Sequence, residues 1–267
     1  MPHIDAVTKH LEDFEEISSL TTADGSHTLG DVYLRHGQPN KALEWYSRAL
    51  TGYEKTFGVD HPITLTAVHQ MALVFRIQGQ YDKALEWYGR ALAGREKALG
   101  ADHPGTLNTV QDMGLVFNNQ GQYDKALEWY GRALAGKEKA LGIGHPDTLT
   151  TVHNMALVFK NQRQYDKALQ WYGRVLAGAE KIFGVDHPDT LTTVHSMAVV
   201  FTYQGQYAKA LESYERALAG REKALGTGHP RTQNTIRCLI RLHEKFGQTD
   251  KAHGLRKRLH VSTGPSN

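Results

Sequence analysis

Apolar positions spaced three and four apart recur along this chain in pairs of segments, punctuated by glycine and proline. The clearest pair lies between His61 and Gly100. Leu65, Val68, Met71, Ala72 and Phe75 share one arc of a helical wheel, which predicts an amphipathic helix opening at Pro62. Proline suits a first helical turn because its missing N–H would be unpaired there anyway. Gly79, between Gln78 and Gln80, ends that helix. A second helix is predicted from Tyr81 to Leu99, with Tyr81, Ala84, Leu85, Trp87, Tyr88, Ala91, Leu92, Ala98 and Leu99 as its apolar set. These cover about half the circumference, an arc wide enough to pack against more than one neighbour. Gly100 supplies the stop.

The pair repeats. The segment YDKALEWYGRALAG occurs at Tyr81 to Gly94 and again, letter for letter, at Tyr123 to Gly136. Relatives begin at Pro39, Tyr165 and Tyr207, and a faint copy at Thr249, so successive starts at 39, 81, 123, 165, 207 and 249 are 42 residues apart. The first helices open at His61-Pro62, His103-Pro104, His145-Pro146, His187-Pro188 and His229-Pro230. A period this regular predicts stacked helix pairs, each too small to bury its apolar face alone. With no strand signal, the fold class is all-α. The expected organisation is a capping helix over 1–20, a repeat array over 21–260 with irregular first and last units, and a tail over 261–267. The capping helix rests on Ile4, Val7, Leu11, Phe14, Ile17 and Leu20. Arg237, Arg241, Glu244, Lys245 and Arg256 replace apolar positions in the last unit and read as a polar cap against end-to-end polymerisation.

Two glycines interrupt the second helix. Gly94 recurs as Gly52, Gly136, Gly178 and Gly220, which predicts close approach of a neighbouring helix or a bulky ring. Gly89 faces outward, and the pattern gives no reason for it.

The order Val68-x-x-Met71-Ala72-x-x-Phe75 followed by Ala84-x-x-x-Tyr88 resembles the tetratricopeptide signature of large, large, small and aromatic, then small and aromatic. The period exceeds that family's usual ~34 residues. The extra length extends the second helix and adds a Gly-x-x-His-Pro-x-Thr-Leu junction. This longer form is similar to the repeats of kinesin light chains and of many fungal proteins with such arrays. The resemblance spans Leu29 to Leu259 and implies a right-handed α-solenoid of antiparallel helix pairs. It also implies a protein–protein interaction scaffold that binds a peptide or protein segment in a concave groove. Light-chain repeats carry Asn-Asn before the Leu-Ala pair, where cargo peptides are held. Here those positions read His69-Gln70, Gln111-Asp112, His153-Asn154 and His195-Ser196, so only Asn154 matches. The light chain's heptad coiled coil is also missing from these 267 residues, which argues against a motor-cargo role.

Repetition separates what every unit needs from what is free to specify something. The second helix is nearly uniform, whereas one arc of the first helix varies. That arc is expected to line the concave wall and to hold the peptide. Its columns are Thr66, Asn108, Thr150 and Thr192; His69, Gln111, His153 and His195; Gln70, Asp112, Asn154 and Ser196; Leu73, Leu115, Leu157 and Val199; Arg76, Asn118 and Lys160; and, at the edge, Ile77 and Tyr203. Amides both donate and accept hydrogen bonds, which suits an extended peptide backbone, while the leucine strip suits alternate side chains.

Charge and composition narrow the alternatives. The formal net charge of +3 is interspersed along the chain, so no nucleic-acid or membrane footprint stands out. The run Arg256-Lys257-Arg258 reads as a solvated helix face. A lone Cys238 excludes a disulfide framework and fits a reducing, cytoplasmic setting. The start, MPHIDAVTKHLEDFEE, lacks the apolar stretch of a signal peptide. Three features mimic active sites. Gly131 to Lys137 has a phosphate-loop spacing, but Glu138 stands where Ser or Thr must meet the metal and no strand precedes it. The His-Pro histidines sit one repeat apart, too far to share a zinc ion at ~2 Å, and read as helix-entry residues. Cys238 has no positioned acid beside it. No cofactor, metal or catalytic residue is therefore assigned. Two other functions stay open: a sensor module like those of fungal signal-transducing NTPases, and an enzyme whose pocket lies in the superhelix near Asp112.

Overall fold

A computed structural model of the chain describes residues 19–260, which form twelve helices and no strand. They are α1 (Ser19–Arg35), α2 (Pro39–Phe57), α3 (Pro62–Ile77), α4 (Tyr81–Leu99), α5 (Pro104–Asn119), α6 (Tyr123–Leu141), α7 (Pro146–Asn161), α8 (Tyr165–Phe183), α9 (Pro188–Tyr203), α10 (Tyr207–Leu225), α11 (Pro230–Lys245) and α12 (Thr249–His260). Helices of 16 residues alternate with helices of 19 through α3 to α10, as the period demands. The expected capping helix lies outside the described residues except for Ser19 and Leu20, which belong to α1. The helix α1 runs unbroken through Gly25.

Local chemistry sets the boundaries. Each His-Pro histidine is the N-cap of its helix, and its Nδ1 accepts the backbone N–H two residues on: Ile63 at 3.3 Å from His61, Gly105 at 3.1 Å from His103, Arg231 at 3.2 Å from His229. A ring nitrogen thus does the work usually given to a serine or aspartate oxygen. The first helices end in a Schellman motif, in which Gln80 N–H donates to Phe75 O at 2.9 Å and Gly79 N–H to Arg76 O at 3.0 Å. That motif needs a left-handed residue, supplied by Gly79 at φ +74°. In the fourth pair Arg163 takes the same conformation at φ +61°.

The junction threonine ties each pair to the next helix. Thr64 Oγ1 donates to Gly58 O and Thr106 Oγ1 to Gly100 O, both at 2.8 Å, satisfying a carbonyl that the ending helix leaves open. Thr148 and Thr190 repeat the contact on Gly142 and Gly184.

Two compact units divide the chain, Met1–Ala140 and Leu141–Asn267. In the first, helices pack with their neighbours in sequence, α1 on α2, α2 on α3, α3 on α4 and α4 on α5. Its core includes Tyr33, Tyr46, Val68, Ala72, Tyr88, Val110 and Ala133. In the second, α7 packs on α8, α8 on α9, α9 on α10, α10 on α11 and α11 on α12. Its core is built around Ala156, Ala168, Tyr172 and Val200 and around Ala210, Tyr214, Ile236 and Leu239.

The first helix of a pair is more deeply embedded than its wheel predicts. In α3 the expected Leu65, Val68, Met71, Ala72 and Phe75 are buried, and so are Thr64, Ala67 and Val74 on a second arc. In α4 the buried set is Ala84, Tyr88, Ala91, Leu92, Gly94 and Arg95. Ala98, expected on the apolar arc, is exposed, because the last turn of this long helix runs past the shorter helix beside it. The polar positions of the final pair, Arg237, Arg241, Glu244, Lys245 and Arg256, are exposed as expected. Within the basic run, Arg256 pairs with Glu244 and Arg258 with Glu222.

Candidate functional site

The variable arc of the first helices is laid out by the same local geometry in both units. Positions 64, 65, 67 and 68 of α3 face the core, so Thr66, His69, Gln70, Leu73 and Arg76 are left half-buried, with Ile77 50% exposed at the edge. In α5 Asn108 is exposed, Gln111, Asp112 and Leu115 are half-buried, and Asn118 is buried. In the second unit Thr150 is exposed, whereas His153, Asn154, Leu157 and Lys160 on α7 are half-buried. Thr192, His195, Ser196 and Val199 on α9 are half-buried too, and Tyr203 is 63% exposed, its ring parallel to Tyr165 at 5.7 Å.

The histidine column is engaged inward. His69, His153 and His195 each stand edge-on to the tyrosine of the following helix, Tyr88, Tyr172 and Tyr214, at 5.1, 5.0 and 5.2 Å between ring centres. His69 Nε2 also lies 3.1 Å from Asp112 Oδ2. Burial, reinforced by the positive charge of Lys160, holds the His153 imidazole down to about 4, and burial with Arg221 does the same for His195. Both are therefore neutral rings at physiological pH. Burial also pushes the Tyr172 phenol up to about 12 and raises Tyr88, Tyr130 and Tyr214 further.

Some polar atoms of this face are buried without a partner. In the first unit, Gln70 Oε1 and Arg76 Nε have no hydrogen bond among the described residues. An unsatisfied buried polar atom costs roughly 1–3 kcal/mol, so each is a position where an incoming donor or acceptor gains more than it would at an open surface.

The nearly uniform second helix also carries a buried column that varies. The helix column containing Tyr53, Arg95, Lys137, Ala179 and Arg221 changes chemistry from repeat to repeat. Arg95 is 8% exposed and holds two first helices together. Its Nη1 donates to Gly105 O at 3.0 Å and Thr109 Oγ1 at 2.8 Å, and its Nη2 to Thr66 Oγ1 at 3.3 Å. Arg221 repeats this on Arg231 O, Thr235 Oγ1 and Thr192 Oγ1 at 3.1, 2.7 and 3.3 Å. Lys137 Nζ donates to Gln111 Oε1 at 2.9 Å, and Tyr53 Oη to Asp24 Oδ1 at 2.7 Å. The signal was present at one-repeat spacing, hidden because a charged residue in a helix reads as solvated.

The remaining candidates are accounted for by the packing. Gly131 to Lys137 is interior to α6, with the lysine 1% exposed on Gln111, so its amine is turned away from solvent. Cys238 packs half-buried beside the Leu239 and Ile240 core, and burial raises its thiol. Among the described residues no three His, Cys, Asp or Glu side chains converge on a metal-sized site. None of the described helices is long and apolar enough to cross a membrane.

Comparison with known proteins places this geometry. A tetratricopeptide repeat model matches residues 21–97, 66–139, 109–181, 147–223 and 192–258. Among solved structures, the chain is similar to a Podosopora anserina protein named for kinesin light chain, with nearly identical TPR-like repeats. The identity is 26% and the TM-score 0.63, over 76% of this chain and 96% of that one. BtubC (BKLC) from P. vanneervenii aligns at 20% identity and a TM-score of 0.67, over 86% and 92%. A Rap protein complexed with Competence and Sporulation Factor aligns at 14% and 0.66, over 96% and 79%. No curated protein sequence matches the chain.

Proposed function

From the premise that this chain belongs to the tetratricopeptide repeat family, we propose that it is a binding scaffold which takes an extended peptide or protein segment along the variable face of its first helices. Tetratricopeptide repeat proteins bind protein or peptide partners, and scaffolds of this family are generally non-enzymatic. The observation that carries the proposal to this face is its unfinished hydrogen bonding: Gln70 Oε1 and Arg76 Nε are buried and unpaired beside the half-buried Leu73. A peptide backbone offers both a donor and an acceptor at each residue, which is the complement of an orphaned carbonyl and an orphaned N–H. The half-buried Leu73 and Leu115 in the first unit, and Leu157 and Val199 in the second, recur at one-repeat spacing, and each pair suits apolar side chains of a ligand. The Rap protein solved with a bound factor supports the use of such a fold as a receptor.

The test is affinity capture with the full chain, compared with a variant carrying Leu73→Glu, Leu115→Glu and Leu157→Glu. Because these side chains are only half-buried, the variant is expected to keep its helical circular dichroism and lose its specific partners. An unchanged partner set on the folded variant sinks the proposal.

A further inference from the structure

One member of the buried cation column is missing. Ala179 occupies the place of Arg95, Lys137 and Arg221, and a cleft of about 210 Å³ opens beside it in the second unit. That is far above the ~15 Å³ that admits one water. Val175, where the other full repeats carry alanine at 49, 91, 133 and 217, fills only part of the space.

The walls of the cleft are the groups that hold an arginine elsewhere in the same chain. The partners of Arg95 are Thr66, Gly105 O and Thr109, with His69 Nδ1 at 3.4 Å from its Nη1. Moved on by two repeats, or 84 residues, these become Thr150, Asp189, Thr193 and His153, and all four line the cleft. The hydroxyls are also set the same way. Thr66 Oγ1 gives its proton to Pro62 O at 3.0 Å and Thr109 Oγ1 to Gly105 O at 3.2 Å, so each turns lone pairs toward Arg95. Thr150 Oγ1 likewise donates to Pro146 O at 3.0 Å, and Thr193 Oγ1 to Asp189 O at 3.5 Å. The cleft thus presents acceptors around an apolar floor of Leu149 and Val175 and rejects anions.

Its mouth is open, with an acid at the rim. Pro146, Thr150 and Asp189 are exposed, while Leu149, Val175, Ala179 and Thr193 are buried. The Asp189 carboxylate stands at the rim, 3.7 Å from Arg231 Nη1 and 3.8 Å from His187 Nδ1. The column distinguishes the two kinds of cation as well. Both arginines lie against a threonine, Thr66 or Thr192, whereas the lysine's repeat has Asn108 there. The vacant repeat carries Thr150, the arginine partner. Two nitrogens in a planar fork can serve both threonines at once, whereas an ammonium presents a single nitrogen.

We propose that the cleft beside Ala179 receives the guanidinium of an arginine side chain belonging to a peptide or protein ligand, in place of the arginine that Arg95 and Arg221 supply from within in their own repeats. The proposal rests on the first-helix face being a peptide surface, and it adds an anchor to that face. Arginine from the ligand enters by the exposed rim, its alkyl stem against the apolar floor and its head on Thr150, Thr193 and the Asp189 carbonyl.

The test titrates the full chain with ethylguanidinium, ethylammonium and a Gly-Ser peptide carrying one central arginine, following the imidazole resonances of His153 by NMR. Saturable shifts are expected with ethylguanidinium, and binding about tenfold or more weaker with ethylammonium. The arginine peptide is expected to bind more tightly than ethylguanidinium; equal affinity would overturn the assignment to a protein ligand. Ala179→Arg fills the cleft with the chain's own guanidinium and should abolish the shifts. If that variant does not fold, Thr193→Val and Thr150→Val, each removing one acceptor at constant shape, should weaken binding in its place. Shifts that persist in the filled or acceptor-deleted variants, or that are equal for both cations, overturn the site. If Leu157→Glu abolishes partner capture and Ala179→Arg does not, the peptide surface stands and the arginine anchor falls. The reverse result keeps the anchor and removes the wider surface.

Discussion

Leu65 occupies the space that a side chain on Gly94 would need: a Cβ there would stand 2.5 Å from Leu65 Cδ2 and 2.8 Å from its Cδ1. The same contact recurs between Gly136 and Leu107, Gly178 and Leu149, and Gly220 and Leu191. The close neighbour expected at Gly94 is therefore a junction leucine side chain, itself 1% exposed. Forcing a methyl into such a site costs about 1–3 kcal/mol. Gly89 faces open space, with nothing within 4 Å of an added Cβ. Gly94→Ala should lower the urea midpoint, while Gly89→Ala should raise it through a gain of up to about 1 kcal/mol in helix propensity. Equal shifts of the same sign would contradict the contact.

Arg163 holds a left-handed backbone that its counterparts Gly37, Gly79, Gly121, Gly205 and Gly247 hold without a side chain. A non-glycine residue pays about 1–2 kcal/mol for that conformation. The Schellman bonds are intact around it, with Gln164 N–H on Phe159 O at 2.8 Å and Arg163 N–H on Lys160 O at 3.0 Å. Arg163→Gly should therefore stabilise the protein by about 1 kcal/mol, read as a rise in thermal midpoint.

The helix boundaries were legible because they are written in local chemistry: proline at a first turn, glycine at a positive φ, histidine before proline. Tertiary contacts were less so. The second buried arc of α3 is made by Thr64, Ala67 and Val74, residues too small or too polar to mark a wheel. Arg95 gives no burial signal of its own, because its partners, Thr66, Gly105 O and Thr109, come from other helices. The histidine column is placed on the first helix by its spacing alone. Its orientation was not readable, since the edge-on contact of His153 with Tyr172 depends on the partner helix.

His153 and His195 make stability depend on mild acid. Both are held near 4, chiefly by burial, against an ordinary value of about 6.5. Above pH 6.5 the imidazoles are neutral in both the folded and unfolded chain, and they contribute no pH dependence. As pH falls from 6.5 toward 4, the unfolded chain binds protons that the folded chain does not, so stability decreases. The slope is about 1.4 kcal/mol per pH unit for each ring. A His153→Gln, His195→Gln double variant should lose this part of the slope, leaving only what other groups contribute. Urea unfolding at half-unit steps between pH 4 and 6.5 measures the difference, and parallel curves for the two proteins would refute it.

The junction threonines separate a made hydrogen bond from an unmade one at matched positions. Thr106 and Thr232 are both fully buried, three repeats apart, at the third residue of their helices. Thr106 Oγ1 reaches Gly100 O at 2.8 Å. Thr232 Oγ1 has no partner, and Gln233 Nε2 donates instead to Thr227 O at 2.7 Å. Valine has nearly the shape of threonine without the hydroxyl. Thr106→Val removes a buried bond and leaves the Gly100 carbonyl only the long 3.4 Å bond from His103 N–H, which should cost about 1 kcal/mol. Thr232→Val replaces an unpaired buried hydroxyl with a methyl and should be neutral or stabilising. Thermal or urea midpoints for the two variants should therefore move apart, and a loss of similar size at both positions would show that the Thr232 hydroxyl is paired after all.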